Sequence, residues 1–192
     1  MNKTEKIDSA ISEHVNLLND NQSYFQNKIE EATSILLEAL INKKQILWCG
    51  NGGSAAQASH LSAELVGGMF KEKKSPLKSL CLTTDTAFIT AWSNDDSYDN
   101  IFSRQIESIG TSGDVLVALT TSGNSNNIIN AIKIAKSKKI VTISLTGNDG
   151  GEVSKLSDFN INVFSDDTAR IQELHILIGH IICEIVETNY NS

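Results

Sequence analysis

Short apolar runs alternate with amphipathic helical patterns over most of this chain, and this alternation constrains the fold more than any other feature. The apolar runs cover residues 45–49, 78–82, 115–120, 140–145 and 159–163. Helical patterns occupy residues 54–70, 100–109, 126–137, 151–156 and 168–188. Nearly continuous apolar strands that alternate with helices are typical of a parallel sheet covered on both faces, with right-handed crossovers. The sequence therefore predicts a three-layer α/β/α sandwich around a five-stranded parallel sheet.

The first forty residues have helical spacing and no strand pattern. Apolar residues recur every three to four positions at Ile7, Ile11, Val15 and Leu18, and a wider apolar stripe runs from about residue 23 to residue 41. We expect two helices here, forming an N-terminal extension (residues 1–43) of a single domain that covers residues 1–192. The apolar stripes have to be buried, either against the body of the domain or against a partner subunit.

Charge and composition exclude several classes of protein. The 23 acidic and 16 basic residues give a net charge of -7, which is poorly suited to binding nucleic acid, and the cluster Lys71, Lys73 and Lys74 is too short to change this. The three cysteines include no Cys-x-x-Cys pair, so neither a zinc ribbon nor a disulfide framework is expected. Neither a signal-peptide pattern nor an apolar run of membrane-spanning length is present. We therefore expect a cytoplasmic protein with no nucleic-acid or membrane partner.

Glycines and hydroxyl side chains follow the first and third apolar runs, and in parallel sheets ligands bind beyond the carboxyl ends of the strands. The first run leads into Gly50-Asn51-Gly52-Gly53-Ser54, where Ser54 lies near the start of a helix, a place that favours anions. The third run leads into Thr120-Thr121-Ser122-Gly123-Asn124-Ser125, which also opens a helix. Several neutral donors on one rim predict a cradle for the phosphate of a phosphosugar.

Nucleotide sites fit these two loops less well. Gly50-x-Gly52-x-x-Ala55 matches a loose dinucleotide fingerprint, which requires an acidic residue about 20 positions later. The nearest candidate, Asp85, lies about 30 positions beyond the glycines, so a dinucleotide site remains only as the alternative. The third loop contains no Gly-Lys-Ser or Gly-Lys-Thr, and it is therefore not a P-loop.

Four side chains on two predicted helices offer metal ligands. His60 and Glu64 are four residues apart on one helix face, whereas Gln172 and His180 are eight apart on the last helix, about 12 Å along its axis. Their imidazole, carboxylate and amide groups would suit zinc or a similar divalent ion with an open position for substrate. Each histidine taken alone also fits a structural role, and His175 is expected to be a core or surface histidine.

Taken together, these motifs resemble the sugar isomerase (SIS) domain family and, within it, the phosphoheptose isomerases. The resemblance covers nearly the whole chain and is carried, in order, by residues 49–56, His60-x-x-x-Glu64-Leu65, Asn94-Asp95, residues 102–105, residues 121–125, residues 167–175 and His180. It implies a flavodoxin-like fold and a homotetramer with active sites between subunits. It also implies isomerisation of D-sedoheptulose 7-phosphate to D-glycero-D-manno-heptose 7-phosphate, the first step toward the heptose of lipopolysaccharide or capsule precursors.

The resemblance also implies a role for each site residue. Glu64 is the expected base and His180 the expected acid of a proton transfer between C1 and C2 through an enediol. One zinc ion per subunit, replaceable by another divalent metal, would polarise the carbonyl, and its expected ligands are His60, Glu64, Gln172 and His180. The expected substrate-binding residues are Asn51, Gly52, Gly53, Ser54, Glu64, Asn94, Asp95, Thr120, Thr121, Ser122, Ser125 and Gln172.

The chain departs from the family pattern near the rim of the expected pocket. Gly68 replaces a usual arginine, Gln57 and Ser59 replace an acid and a glutamine, and Asp96-Ser97 replaces an aromatic–glycine pair.

Three other functions remain as alternatives. One alternative is an isomerase of a pentulose or hexulose phosphate. The others are a sugar-phosphate sensor without turnover and a non-catalytic SIS protein similar to the bacterial replication-initiator-associating protein. That relative lacks the acid–base pair that this chain retains.

Overall fold

The computed structural model describes residues 2–69 and 75–190. Lys71, Lys73 and Lys74, and the end of the predicted helix at Phe70, lie outside these ranges. The elements are, in chain order, α1 (Lys3–Asp20), α2 (Gln22–Ile41), β1 (Ile46–Gly50), α3 (Gly53–Gly67), β2 (Ser79–Cys81), α4 (Thr86–Asp95), a 3-10 helix (Tyr98–Asn100), α5 (Ile101–Ile109), β3 (Val115–Thr120), α6 (Asn126–Ser137), β4 (Val141–Gly147), α7 (Gly151–Leu156), β5 (Phe159–Val163) and α8 (Thr168–Tyr190).

The five strands form one parallel sheet in the order β2-β1-β3-β4-β5. This is the flavodoxin-like order, so the predicted fold class is confirmed. Because the chain winds in opposite directions from β1, the loops after β1 and β3 leave the sheet side by side at the switch point, where ligands bind in such folds. Gly50 pairs with Leu119 in the register, which brings the two loops to the same height.

Two apolar cores hold helices on the two faces of the sheet. Ile46 and Trp48 belong to the core shared with α2, α3 and α8. Leu47 and Cys49, which alternate with them, belong to the core shared with α5, α6 and α7. Every residue of β1 is buried, as expected for a central parallel strand. Cys49, Cys81 and Cys183 are free and buried, where they pack as small core residues.

The amino ends of the strands are tied together by carboxylates. Asp114, which is 1% exposed, accepts hydrogen bonds from the backbone N and side-chain amide of Gln45 and from the backbone N and hydroxyl of Thr111. Asp158 accepts from the backbone N and hydroxyl of Thr142 and from Lys136. Burial raises the pKa of Asp158, but the hydrogen bonds from Lys136 and Thr142 outweigh it, so this pKa lies below its usual value.

The two N-terminal helices differ in how they pack. Helix α2 buries seven residues against the sheet core and α8. Helix α1 buries none of its residues, and Ile7, Ile11 and Val15 of its apolar stripe are 58%, 60% and 46% exposed. Contacts to α8 hold α1 in place: Arg170 Nη1 donates to the carbonyl of Ala10 at 2.8 Å, and His14 Nδ1 lies 2.9 Å from a carboxylate oxygen of Glu173.

The sequence did not predict α4. Its ten residues are all half-buried or exposed, although Ile89 and Trp92 pack against the core shared with α5 and α6. Asp85 caps this helix by accepting a hydrogen bond from the backbone N of Phe88, a different role from the nucleotide contact for which it was the nearest candidate. Strand β4 extends two residues beyond the predicted apolar run. Thr146 is polar and Gly147 is small, so neither continues the apolar pattern, although both are buried in the strand. Among residues 2–69 and 75–190, no helix combines the length and apolar content needed to cross a membrane.

Candidate functional site

The loop after β3 brings hydroxyl groups to the start of α6. Thr120 is buried, Thr121 and Ser125 are half-buried, and Ser122 is exposed. Ser125 is the N-cap residue of α6, yet its side chain makes no capping hydrogen bond within the described part of the chain. Hydroxyls and free backbone N–H groups at the N-terminus of a twelve-residue helix form a suitable place for a phosphate. The residues of the predicted cradle therefore lie together at this helix start, and phosphate binding there stays a prediction.

The loop after β1 faces this cradle and continues into α3. Gly53 begins α3, and a Cβ atom at this position would lie 2.6 Å from the Nε2 atom of Gln172. Glycine is therefore required for the side chain of Gln172 to lie against the loop. Gln57, one turn further along α3, donates to the backbone carbonyl of Gln172 at 2.7 Å. These contacts place Gln172 of α8 beside the glycine-rich loop.

The structure brings three of the four expected metal ligands together. The Nε2 atoms of His60 and His180 are 2.7 Å apart, and His60 Nε2 lies 3.4 Å from Oε1 of Glu64. All three donor atoms lie within 4.8 Å of one another. The side chains of His60 and Glu64 are 47% and 23% exposed, so a ligand can reach them. This cluster is a possible His/Glu/His metal site, with the amide of Gln172 nearer the start of α3.

Close packing of α3 on α8 creates this cluster. A Cβ atom on Gly179 would overlap the side chain of Leu61, so glycine at this position allows the two helices to approach closely. The thiol of Cys183, one turn later, contacts the carbonyl of Leu61. Because Leu61 follows His60 and Gly179 precedes His180, the same close approach sets the two imidazoles against each other.

Asn94 and Asp95 lie exposed at the end of α4, and the Nδ2 atom of Asn94 donates to Oδ1 of Asp95 at 2.8 Å. The 3-10 helix that follows returns toward the loop after β1, because the hydroxyl of Tyr98 donates to Oδ1 of Asn51 at 2.8 Å. Asn127 of α6 also contacts Asn51. Neither Tyr98 nor Asn127 is among the predicted substrate-binding residues, because no local pattern signals a contact between residues so far apart in the chain.

His175 was expected to be either a core or a surface histidine, and the structure places it in the core. It is fully buried, and its Nε2 atom lies 3.0 Å from the carbonyl oxygen of Thr146. Burial lowers the pKa of His175 to about 4, although the hydrogen bond to Thr146 opposes this shift. The ring is therefore neutral at pH 7, with its proton on Nε2.

Comparison with known proteins identifies the class. Residues 11–147 match the SIS domain family, and this chain therefore belongs to that family. Among its relatives, the phosphoheptose isomerase of Sulfurimonas denitrificans is 49% identical over 185 residues, which cover 96% of this chain and 90% of that protein. The phosphoheptose isomerase of Aliarcobacter butzleri is 49% identical over 162 residues, covering 84% and 85% of the two chains.

Solved structures give the same result for the whole fold. The phosphoheptose isomerase GmhA of Neisseria gonorrhoeae superposes with a TM-score of 0.91 at 38% identity, covering 97% of this chain and all of that one. A phosphoheptose isomerase of Francisella tularensis superposes with a TM-score of 0.94 at 33% identity, covering 98% and 100%. The family and fold class that the sequence predicted are therefore confirmed.

Proposed function

We propose that this chain is an aldose–ketose isomerase that converts D-sedoheptulose 7-phosphate to D-glycero-D-manno-heptose 7-phosphate. The observation that carries the proposal is the convergence of Glu64 with His180, with Glu64 on α3, the helix that begins at the glycine-rich loop after β1. The relatives named phosphoheptose isomerase, which match this chain over most of its length, support the same reaction and the same sugar. The non-catalytic alternative fits less well, since it does not require an acid–base pair.

The proposed chemistry moves one hydrogen from C1 to C2 and one from the oxygen on C1 to the oxygen on C2. Glu64 takes a proton from C1 of the ketose while His180 donates a proton to the carbonyl oxygen on C2, which gives the enediol. Return of the carbon-bound proton to C2 and loss of the proton from the C1 hydroxyl then give the aldose. The 2.7 Å contact between the Nε2 atoms of His60 and His180 means that one of them carries a proton, and it holds the ring of His180 in place.

The donor set that lies where α3 packs against α8 fits a divalent metal ion. Two imidazoles and one carboxylate within 4.8 Å of one another are ligands that zinc commonly takes in catalytic sites. We propose one zinc ion per subunit, with Gln172 as the fourth ligand. When bound, the ion would polarise the substrate carbonyl, and Glu64 would then act as ligand and base in turn.

The rest of the substrate would lie along the carboxyl edge of the sheet. In this proposal, the phosphate is held by the start of α6 and its hydroxyls, and the sugar is held by the loop after β1 and the end of α4. Neutral donors at a helix N-terminus favour a phosphate dianion. The proposed substrate-binding residues are Asn51, Gly52, Gly53, Ser54, Glu64, Asn94, Asp95, Thr120, Thr121, Ser122, Ser125 and Gln172.

We further propose a homotetramer that works in the cytoplasm and supplies heptose for lipopolysaccharide or capsule. The exposed stripe of Ile7, Ile11 and Val15 on α1 supports assembly, because contiguous exposed apolar side chains mark protein interfaces. Light scattering on the purified protein should give four copies of the chain. The variant Ile11→Glu should shift the protein to smaller assemblies, whereas a monomeric wild-type protein would contradict the proposal.

The experiment that tests the function is turnover of sedoheptulose 7-phosphate by purified protein, before and after metal removal. We expect the aldose product with wild-type protein, loss of activity after chelation, and recovery on addition of zinc. Zinc should also raise the melting temperature of the wild-type protein but not that of the double variant His60→Ala/His180→Ala. Turnover of only a pentulose or hexulose phosphate by the folded protein would show that the proposed substrate is wrong. No turnover of any of these sugars would contradict the proposal that the chain is an enzyme.

A further inference from the structure

The side-chain amide of Asn51 is fixed by three hydrogen bonds. Its Nδ2 atom donates to Oδ1 of Asn127 at 2.8 Å, and Nδ2 of Asn127 donates back to Oδ1 of Asn51 at 2.8 Å. The hydroxyl of Tyr98 donates to the same Oδ1 at 2.8 Å. A carbonyl oxygen accepts through two lone pairs, and both are engaged here. Among residues 2–69 and 75–190, the second N–H of the Asn51 amide has no partner.

The residues that hold Asn51 are themselves held by α6. Asn127 lies in the first turn of this helix and is 2% exposed. Tyr98 lies in the 3-10 helix, whose Asp99 accepts from the side-chain amides of Asn126 and Asn130 at 3.2 and 3.0 Å. Because α6 also begins the phosphate cradle, one element sets both the cradle and the orientation of the Asn51 amide.

We propose that Tyr98 and Asn127 are positioning residues, which orient Asn51 so that it presents only an N–H donor to an oxygen atom of the bound sugar phosphate. This inference rests on the proposed function, because Asn51 is one of the proposed substrate-binding residues. With both lone pairs of Oδ1 engaged, Asn51 selects a ligand oxygen that accepts a hydrogen bond, such as a phosphate oxygen or a hydroxyl lone pair. Tyr98 is 50% exposed, and Tyr98→Phe keeps its ring, so we expect this variant to leave the fold intact.

The test compares two tyrosine variants that each lose one hydroxyl. Tyr98→Phe removes the bond to Asn51, and Tyr24→Phe is the matched control, because the hydroxyl of Tyr24 accepts a hydrogen bond from the backbone N of Asn162 in the edge strand β5. We expect Tyr98→Phe to raise KM for sedoheptulose 7-phosphate about fivefold, the value of one neutral hydrogen bond, with kcat changed less than about twofold. Tyr24→Phe should leave both constants unchanged.

A double-mutant cycle shows whether Tyr98 acts through Asn51. In the Asn51→Ala background, Tyr98→Phe should change KM by less than about 1.5-fold, because no amide remains to be oriented. An equal effect of Tyr98→Phe in both backgrounds would overturn the proposal in favour of a direct contact with substrate. An unchanged KM in the single variant would overturn it in favour of a structural role.

Calorimetry separates this inference from the proposed reaction. Sedoheptulose 7-phosphate is titrated into the full-length Glu64→Gln protein with and without Tyr98→Phe, so that binding is measured without turnover. A dissociation constant about fivefold higher with Tyr98→Phe supports the positioning role even if the wild-type enzyme proves inactive on this sugar. Normal wild-type turnover with equal dissociation constants would overturn the positioning role alone and leave the isomerase standing.

Discussion

Asp114 and Glu64 are both carboxylates, and the two regions that hold them use them in opposite ways. At the amino end of the sheet, Asp114 is 1% exposed and accepts four hydrogen bonds from Gln45 and Thr111. In the cluster of His60, Glu64 and His180, where α3 packs on α8, the side chain of Glu64 is 23% exposed and lies 3.4 Å from His60, a distance beyond that of a good hydrogen bond. A carboxylate whose acceptors are all engaged stabilises the fold, whereas one that is loosely paired and accessible is available to a ligand. Substitutions in the two regions should therefore separate stability from activity.

The largest effect is expected in the cluster of His60, Glu64 and His180. His180→Asn removes the proposed acid, and we expect kcat to fall about 10²- to 10⁴-fold. Because His180 is only half-buried, the free energy of unfolding should change little, which denaturant titration of the same protein can check. A variant with wild-type kcat would remove His180 from the chemistry, and a strongly destabilised one would show that the cluster is structural as well.

The opposite pattern is expected at the amino end. Asp114→Asn replaces an acceptor of four hydrogen bonds with a group that also carries donors, and we expect a loss of about 3 kcal/mol in the free energy of unfolding. The control Asp8→Asn makes the same charge change on the exposed face of α1 and should have almost no effect. Activity per folded molecule should be unchanged in both variants; a reduced kcat in Asp114→Asn would break the separation between the two regions.

The next effect, smaller than the first two, is a dependence of the free energy of unfolding on pH that comes from His175. Its pKa is lowered to about 4 from an ordinary value of 6.5 because it is buried, so the unfolded chain takes up a proton at pH 5 and the folded protein does not. Stability from this group is therefore complete above about pH 6.5 and is lost as the pH falls, by about 2 kcal/mol between pH 7 and pH 5. His175→Gln should flatten this dependence in denaturant titrations at the two pH values; an equal slope in variant and wild type would contradict the assignment.

The smallest effect concerns Asp158, which is more exposed than Asp114. The hydrogen bonds from Lys136 and Thr142 keep its pKa below the ordinary value of 3.8 despite burial, so its contribution is present above about pH 4 and is lost as the pH falls through the lowered pKa. We expect Asp158→Asn to cost about 1 kcal/mol at pH 7, and chemical denaturation at pH 7 and pH 3 should show this difference shrinking at the lower pH. A constant difference would show that charge plays no part.

The sequence predicted the layers of the molecule better than the contacts at its site. Nearly continuous apolar runs identified all five strands, because both faces of a central parallel strand are buried. The pairing of His60 with Glu64 followed from helical spacing alone. The contact of His60 with His180 depends on the close packing of α3 on α8 at Gly179, which no local pattern shows. The hydrogen bond from Tyr98 to Asn51 spans 47 residues, and it became visible only once the structure placed the 3-10 helix on α6.

The most direct test of the account is Glu64→Gln, which keeps the size of the side chain and removes its ability to take a proton. The measurement is incorporation of deuterium from heavy water into sedoheptulose 7-phosphate, followed by NMR, together with the dissociation constant of the same sugar phosphate. The account predicts exchange at least about 10²-fold slower than in the wild type, with binding retained and the free energy of unfolding unchanged. Wild-type exchange in the variant, or loss of binding without loss of exchange, would contradict the claim that the cluster between α3 and α8 performs proton transfer through Glu64.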